Sequence, residues 1–178
     1  MRILIIKGSP HKHGSSNLLA ERFEEGAREA GHDVESFDVA HADIRPCLGC
    51  DACRRSDGTC CQQDDMAALR DALLAADLVA FVTPLYYFGL SAQLKTAIDR
   101  FYSFNDQLTA KGLKTVLLAA AWNNDDWTMR DLEAHYATLC RYLHFQNAGT
   151  VLGLGCGTVP MTRRTCYPEA AYELGRSL

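Results

Sequence analysis

The first residues, Met1 to Asn17, read MRILIIKGSPHKHGSSN and decide the fold. The apolar run from Ile3 to Ile6 is typical of a strand buried on both faces of a parallel sheet. It breaks into small, polar and basic residues, after which a helical pattern begins. Because a helix N-terminus has unpaired N–H groups and a positive dipole end, this break predicts an anion site. The side-chain donors for one phosphate are Ser9, Ser15, Ser16 and Asn17.

The same residues are compatible with other kinds of loop. An ordinary strand, loop and helix with Ser15 or Ser16 as the N-cap is the simplest alternative. The dinucleotide fingerprint G-x-G-x-x-G is absent, because no glycine lies between Gly8 and Gly14. A Gly-Lys-Ser/Thr phosphate loop is absent too. A ligand with a single phosphate therefore fits best.

The composition is that of an ordinary globular protein, and the chain is predicted to be one domain over residues 1–178. Its net charge of −4 indicates no general attraction to nucleic acid or anionic membranes. No apolar run approaches the roughly 20 residues that span a bilayer, and the opening pattern is a strand rather than a signal peptide. We therefore expect a cytoplasmic protein.

Helical and apolar patterns alternate along the rest of the chain. Further strands are predicted at 32–39, 78–82, 115–121 and 151–154, and helices at 19–30, 66–74, 90–101, 126–144 and 168–178. Alternation of this kind predicts an α/β three-layer sandwich with a five-stranded parallel sheet of flavodoxin-like order 2-1-3-4-5. The strand order reverses between strands one and three, so a ligand is expected over the loops 9–17 and 83–89.

The loop after the third predicted strand is aromatic and forms a candidate second wall of this site. Pro84, Leu85, Tyr86, Tyr87 and Phe88 offer an apolar surface for a flat heterocycle. The alternative is that these aromatic residues pack between loop and helix, or form a subunit contact. Position alone, after the fourth strand, suggests Trp122 and Asn123 as a third wall.

A cysteine-rich loop at 46–63 is the second feature of interest. Cys47, Cys50 and Cys53 have C-x2-C-x2-C spacing, which can place three thiolates around an iron–sulfur cluster, and Cys60 or the adjacent Cys61 can supply a fourth. Zinc is less favoured, since its ligand pairs are usually farther apart. A reactive thiol pair beside Arg54 or Arg55 and a loop without any metal remain open.

These motifs together resemble the NADPH-dependent FMN reductase branch of the flavodoxin-like superfamily. The resemblance rests on Gly8-Ser9-Pro10 with Gly14-Ser15-Ser16, Asp64-Asp65-Met66, Pro84-Leu85-Tyr86, Leu94-Lys95 and Asp99-Arg100. It implies an FMN whose phosphate is held by Ser9, Ser15, Ser16 and Asn17, with residues 84–88 beside the isoalloxazine. His11, also included in the predicted site, and His13 stand where basic or polar residues are usual. Trp122-Asn123-Asn124 replaces a segment that often has glycines.

The cysteine loop resembles that of the iron–sulfur flavoproteins, a subgroup of this family with a [4Fe–4S] cluster. By that resemblance the ligands are Cys47, Cys50, Cys53 and Cys60. The family resemblance also implies a homodimer or homotetramer, with NADH or NADPH as electron donor and a quinone, a flavin or another small molecule or redox protein as acceptor. No nucleic acid or membrane partner is expected.

The expected activity is transfer of a hydride from NAD(P)H to FMN and of electrons onward, with the cluster dividing the electron pair into single steps. No catalytic side chain is predicted, because the flavin carries the chemistry. The alternatives are a flavodoxin-type electron carrier without NAD(P)H activity and a cysteine-loop metal or redox sensor.

Overall fold

The predicted alternation of strands and helices is confirmed in the computed structural model, which describes residues 1–56 and 58–178. One parallel sheet has the order β2-β1-β3-β4-β5, as predicted. Its strands are β1 (Arg2–Lys7), β2 (Asp33–Asp38), β3 (Leu78–Pro84), β4 (Lys114–Ala120) and β5 (Gln146–Gly153). The helices are α1 (Ser15–Glu29), α2 (Met66–Ala75), α3 (Ala92–Asp99), α4 (Asn105–Lys111), α5 (Arg130–Tyr142), α6 (Val159–Thr162) and α7 (Tyr167–Arg176). Short 3₁₀ turns lie at Ala52–Arg55 and Arg100–Phe104.

Two apolar layers cover the sheet, one on each face. Alternate residues of a strand point to opposite faces, so Leu4 and Ile6 of β1 pack with α2, α3, α4 and α5. Ile3 and Ile5 of the same strand pack with α1 and α7. The predicted three-layer sandwich follows directly from these two clusters.

Some element ends agree with the sequence-based expectation and others differ. The end of α1 agrees: Gly31, with φ of +84°, follows the helix, and a hydrogen bond from the His32 N–H to the Ala27 carbonyl completes a Schellman cap. The long helix predicted from Asp126 begins only at Arg130, because turns with Thr128 N–H bonded to the Asp125 carbonyl precede it. β5 begins at Gln146 rather than at the predicted residue 151. The first half of this edge strand is polar and partly exposed, so it lacks the apolar pattern on which the prediction was based.

The carboxyl ends of β1 and β3 are tied together beneath the predicted ligand loops. The Gly8 N–H donates to the Val82 carbonyl (2.8 Å), and Ser91 Oγ, the N-cap of α3, donates to the Gly8 carbonyl (2.6 Å). A Cβ at Gly8 would lie 2.6 Å from Leu94 Cβ, so a side chain there would push α3 away. These contacts hold the ends of β1 and β3, and hence the loops 9–17 and 83–89 that follow them, in a fixed position relative to each other.

Across residues 1–56 and 58–178, every helix is too short or too polar to traverse a bilayer.

Candidate functional site

The N-terminus of α1 lies at the carboxyl end of β1 and is free of side-chain caps. Its N-cap is Gly14, and among the described residues no side chain accepts a hydrogen bond there, so the alternative of a Ser15 or Ser16 cap is not observed. The N–H groups of Ser15, Ser16 and Asn17 have no acceptor in residues 1–56 and 58–178. No acidic residue occupies this first turn. The result is a group of unpaired donors at the positive end of a helix dipole.

The Asn17 side chain holds the loop between β1 and α1 in place through hydrogen bonds to its backbone. Its Nδ2 donates to the carbonyls of His11 and Lys12, both at 3.0 Å. Ser9 Oγ accepts from the His11 N–H (3.2 Å) and lies 3.3 Å from the His11 carbonyl. These bonds use up loop carbonyl lone pairs, and Ser16 Oγ is buried beside them without a partner in the described chain. Asn17 Oδ1 is likewise buried without a partner among the described residues.

A cavity of about 470 Å³ opens above these donors. Eight of the predicted cofactor residues line it: Ser9, His11, Ser15, Ser16, Pro84, Leu85, Tyr86 and Trp122. Asn17 is not in the lining. The cavity also includes Cys156, Gly157, Thr158 and Val159, which sequence reasoning missed. Their position directly after β5, at the same sheet edge, was the signal available for finding them.

The aromatic loop is a strained two-residue hairpin. Tyr86 and Gly89 exchange backbone hydrogen bonds of 3.2 and 3.1 Å across it. Tyr87 and Phe88 between them have φ of +46° and +62°. Positive φ at both central residues defines a type I′ turn, which favours Asn and Gly, so two aromatic residues there are strained. Strain of this kind is commonly stored at functional sites.

The hairpin divides the predicted aromatic residues between two neighbouring cavities. Tyr87, Phe88 and Asn123 do not line the 470 Å³ cavity but a second one of about 190 Å³. Leu85 and Trp122 line both cavities and lie at their boundary. Phe88 also packs against Trp127, with ring centroids 5.0 Å apart. The candidate cofactor site therefore consists of two adjoining cavities that share Leu85 and Trp122.

The predicted cysteine ligands share a small cavity of about 20 Å³ at the other end of α3. Its lining includes Cys47, Cys50, Cys53, Cys60, Cys61 and Arg100. The sulfurs of Cys50 and Cys61 are 3.7 Å apart. The pKa of the Cys50 thiol is lowered by hydrogen bonding to the backbone at Ala52 and to Cys61, whereas that of Cys61 is raised by Cys50. In residues 1–56 and 58–178, no three His, Cys, Asp or Glu side chains are arranged to hold a metal ion.

Both ends of the cysteine loop are anchored to a buried ion pair. Asp64 Oδ2 accepts from Arg100 Nη1 (2.7 Å) and Oδ1 from Arg100 Nη2 (3.1 Å). The Asp64 carboxylate also accepts from the N–H groups of Arg45 (3.1 Å) and Met66 (3.2 Å). Burial opposes its charge, but the bonds to Arg100 and Arg45 hold the Asp64 pKa below its ordinary value. Arg100 was missing from the predicted site.

Comparison with known proteins agrees with this geometry. Residues 1–152 match the profile of the family described as NADPH-dependent FMN reductase. The chain belongs to this family. The resemblance stated from the sequence motifs is therefore confirmed.

Several curated relatives are named iron–sulfur flavoproteins. One from Archaeoglobus fulgidus is 33% identical over 112 residues, which cover 63% of this chain and 50% of that protein. One from Methanosarcina thermophila is 33% identical and covers 56% and 52%. A Bacillus subtilis protein named as an NAD(P)H-dependent FMN-containing oxidoreductase is 26% identical and covers 87% and 86%. The chain spans about half the length of the iron–sulfur flavoproteins that it matches.

Solved structures share the fold. An NAD(P)H:quinone oxidoreductase from Methanothermobacter marburgensis superposes with a TM-score of 0.78 at 21% identity, over 99% of this chain and 95% of that chain. An FMN-dependent NADH-azoreductase from Bacillus anthracis, solved in complex with FMN, gives a TM-score of 0.70 at 15% identity, over 99% and 97%. At these identities the likeness supports the architecture alone.

Proposed function

We propose that this chain binds FMN and acts as an NAD(P)H-dependent oxidoreductase. The observation that carries the proposal is the group of unpaired N–H donors of Ser15, Ser16 and Asn17 at the start of α1. They suit a dianionic phosphate, whose oxygens accept several hydrogen bonds at a helix N-terminus. Gly14 lets the loop pack closely at the start of α1, since a Cβ there would lie 3.1 Å from His11 Cβ. Ser9, His11, Ser15 and Ser16 would contact the phosphate, and Asn17 would hold the loop in shape.

The two cavities beyond the phosphate loop suit the rest of the cofactor. Pro84, Leu85, Tyr86 and Trp122 offer apolar and aromatic surface for the isoalloxazine ring in the larger cavity. Tyr87, Phe88 and Asn123 extend that surface into the smaller one. Ligand cavities typically combine such apolar walls with a few directed polar groups. Backbone N–H groups of these loops are the candidates for the polar edge of the ring.

When bound, FMN accepts a hydride from a reduced nicotinamide and passes the electrons to an acceptor. The protein's task is to bind and orient the two reactants. The titratable side chains that line the larger cavity are His11, His13, Tyr86 and Cys156, and none is required as an acid or base for hydride transfer. We therefore assign no catalytic side chain.

We further propose a [4Fe–4S] cluster in the cysteine loop, with Cys47, Cys50, Cys53 and Cys60 as ligands. Its support is the shared cavity of five free thiols and the name iron–sulfur flavoprotein that several curated relatives have. The side chains in the described conformation do not surround a metal, so the proposal requires the thiols to turn inward on loading. When bound, such a cluster supplies one-electron transfer.

The wider proposals concern assembly and compartment. One flavodoxin-like domain covers residues 1–178 and assembles as a homodimer or homotetramer through surfaces that include the exposed hairpin. The acceptor is a quinone, a flavin or another small molecule, or a redox protein. Eight free cysteines among the described residues suit a reducing compartment, so we retain the cytoplasm as the place of action.

The test of the activity is steady-state oxidation of NADH and NADPH by the FMN-loaded protein with a quinone or free flavin as acceptor. Turnover that depends on FMN is the expected result. Intact FMN binding without turnover would favour the electron-carrier alternative. Absence of FMN binding would contradict the proposal as a whole.

The cluster has its own test, in protein purified without oxygen and assayed for iron and acid-labile sulfide. Cys60→Ser should lose iron, whereas Cys61→Ser and the remote control Cys166→Ser should retain it. The reverse result for Cys60 and Cys61 would reassign the fourth ligand. Iron without sulfide, or zinc, would favour the metal-sensor alternative.

A further inference from the structure

Helix α3 joins the two candidate sites. At its first end, Ser91 Oγ bonds to the Gly8 carbonyl at the base of the phosphate loop (2.6 Å). At its other end, Arg100 follows Asp99 directly and lines the cavity of the cysteine loop. Arg100 is therefore the cation that the flavin-binding scaffold places against the thiols.

Both terminal nitrogens of the Arg100 guanidinium donate hydrogen bonds within the protein. Nη1 donates to the Arg45 carbonyl and to Asp64 Oδ2, both at 2.7 Å, and Nη2 donates to Asp64 Oδ1 at 3.1 Å. The Arg100 side chain is 2% exposed and that of Asp64 is 0% exposed. These bonds orient the planar guanidinium and use three of its five N–H groups, which leaves one N–H of Nη2 and the N–H of Nε.

Arg100 Nε is buried and has no acceptor in the described residues. An unmet buried donor costs on the order of 1–3 kcal/mol, so a partner is expected. Arg100 and Cys60 line the same cavity. Cys47, Cys50, Cys53 and Cys61 line it too, so the sulfurs of these five cysteines are the candidate acceptors.

We propose that Arg100 is a positioning residue for the iron–sulfur site, with its Nε–H donating to a cysteine sulfur of this cavity when the loop is loaded. A cluster gains negative charge on reduction, and a buried N–H donor on a cation stabilises that charge more in the reduced state than in the oxidised state. Arg100 therefore raises the reduction potential of the cluster. This inference rests on the proposed cluster and names a residue that its cysteine ligands do not include.

Two substitutions at Arg100 distinguish the proposed bond from Nε–H to sulfur from the ion pair with Asp64. Arg100→Lys keeps a cation that can pair with Asp64 but has no Nε–H beside it. Arg100→Gln removes the charge as well. Arg55→Gln is the comparison variant, since it removes an exposed charge that acts on Cys50 from the same loop and leaves the Arg100 Nε–H in place.

The experiment compares anaerobically loaded wild type with these variants by iron and sulfide content and by the midpoint potential of the cluster. For Arg100→Lys we expect iron content near that of wild type and a lower potential, by about a tenfold change in the reduction equilibrium, or ~59 mV for one electron. Arg55→Gln should shift the potential by less, because water screens its exposed charge.

Each other outcome overturns the inference in a distinguishable way. An unchanged potential in Arg100→Lys, or an equal shift in Arg55→Gln, would contradict the proposed bond while leaving the cluster in place. Loss of iron from Arg100→Lys but not from Arg55→Gln would assign Arg100 to holding the loop alone. A wild-type protein without iron and sulfide would overturn both the cluster and this inference.

Discussion

Asp64 and Arg100 form a two-point ion pair in the protein interior, with N–O distances of 2.7 and 3.1 Å. The same carboxylate accepts the N–H groups of Arg45 and Met66, which lie on either side of the cysteine loop. One carboxylate therefore closes the loop, begins α2 and orients the guanidinium. Its removal should affect the whole region rather than a single contact.

Asp64→Asn should destabilise the fold by about 3–5 kcal/mol, because it leaves the Arg100 cation buried without its counter-charge. Chemical denaturation of the flavin-free protein at neutral pH measures this directly. Asp71→Asn is the matched control, since Asp71 is exposed and should change stability by about 0.5 kcal/mol or less. A similar small effect for both variants would show that the pair contributes little.

The same carboxylate predicts a dependence of stability on acid. The Asp64 pKa lies below its ordinary value in the folded protein, because its bonds to Arg100 and Arg45 outweigh burial. Its contribution is therefore complete above the unfolded pKa of about 3.9 and is lost as the pH falls through the lower folded value. Melting temperatures should fall more steeply below about pH 4 in the wild type than in Asp64→Asn. Parallel curves would contradict this assignment.

Tyr87→Asn should raise the stability of the flavin-free protein. Tyr87 is fully exposed and has φ of +46°, so the substitution loses no packing and relieves strain on the order of 1 kcal/mol. A melting temperature about 2–4 °C higher is expected for a chain of this size. Tyr142→Asn, at an exposed position in α5, should show no such gain. If Tyr87 contacts the ring, the stabilised variant should also bind FMN more weakly.

Ser15→Asp should weaken FMN binding without destabilising the free protein. An acid in the first turn of α1 interacts favourably with the helix dipole, but it repels a phosphate at the same position. We expect the FMN dissociation constant to rise at least tenfold, measured by quenching of flavin fluorescence. Ser15→Asn, similar in size and neutral, is the control. Equal losses in the two variants would indicate a steric rather than an electrostatic effect.

The sheet order and the phosphate loop were predictable because each depends on local pattern. The run at Ile3–Ile6 is apolar throughout, and the loop that follows concentrates serines at a helix start. The first half of β5 was missed because an exposed edge strand carries no apolar signal. The start of α5 was placed too early because Asp125 and Asp126 are compatible with an N-cap in sequence alone.

The missed site residues depend on contacts between distant segments. Gly157 and Thr158 reach the large cavity only because β5 ends beside β4. Arg100 was named only within the Asp99-Arg100 motif, yet it is buried against Asp64, which lies 36 positions earlier. Periodicity within one helix cannot reveal such a partner. The positive φ at Tyr87 and Phe88 was likewise hidden, because aromatic residues seldom adopt it.

The central claim is that a phosphate binds at the start of α1, and the most direct measurement compares FMN with riboflavin by isothermal titration of the flavin-free protein. The two ligands share the same ring and differ by the phosphate. Because several charge-assisted hydrogen bonds depend on that group, FMN should bind at least about 100-fold more tightly than riboflavin. Equal affinities, or no binding of either flavin, would contradict the account.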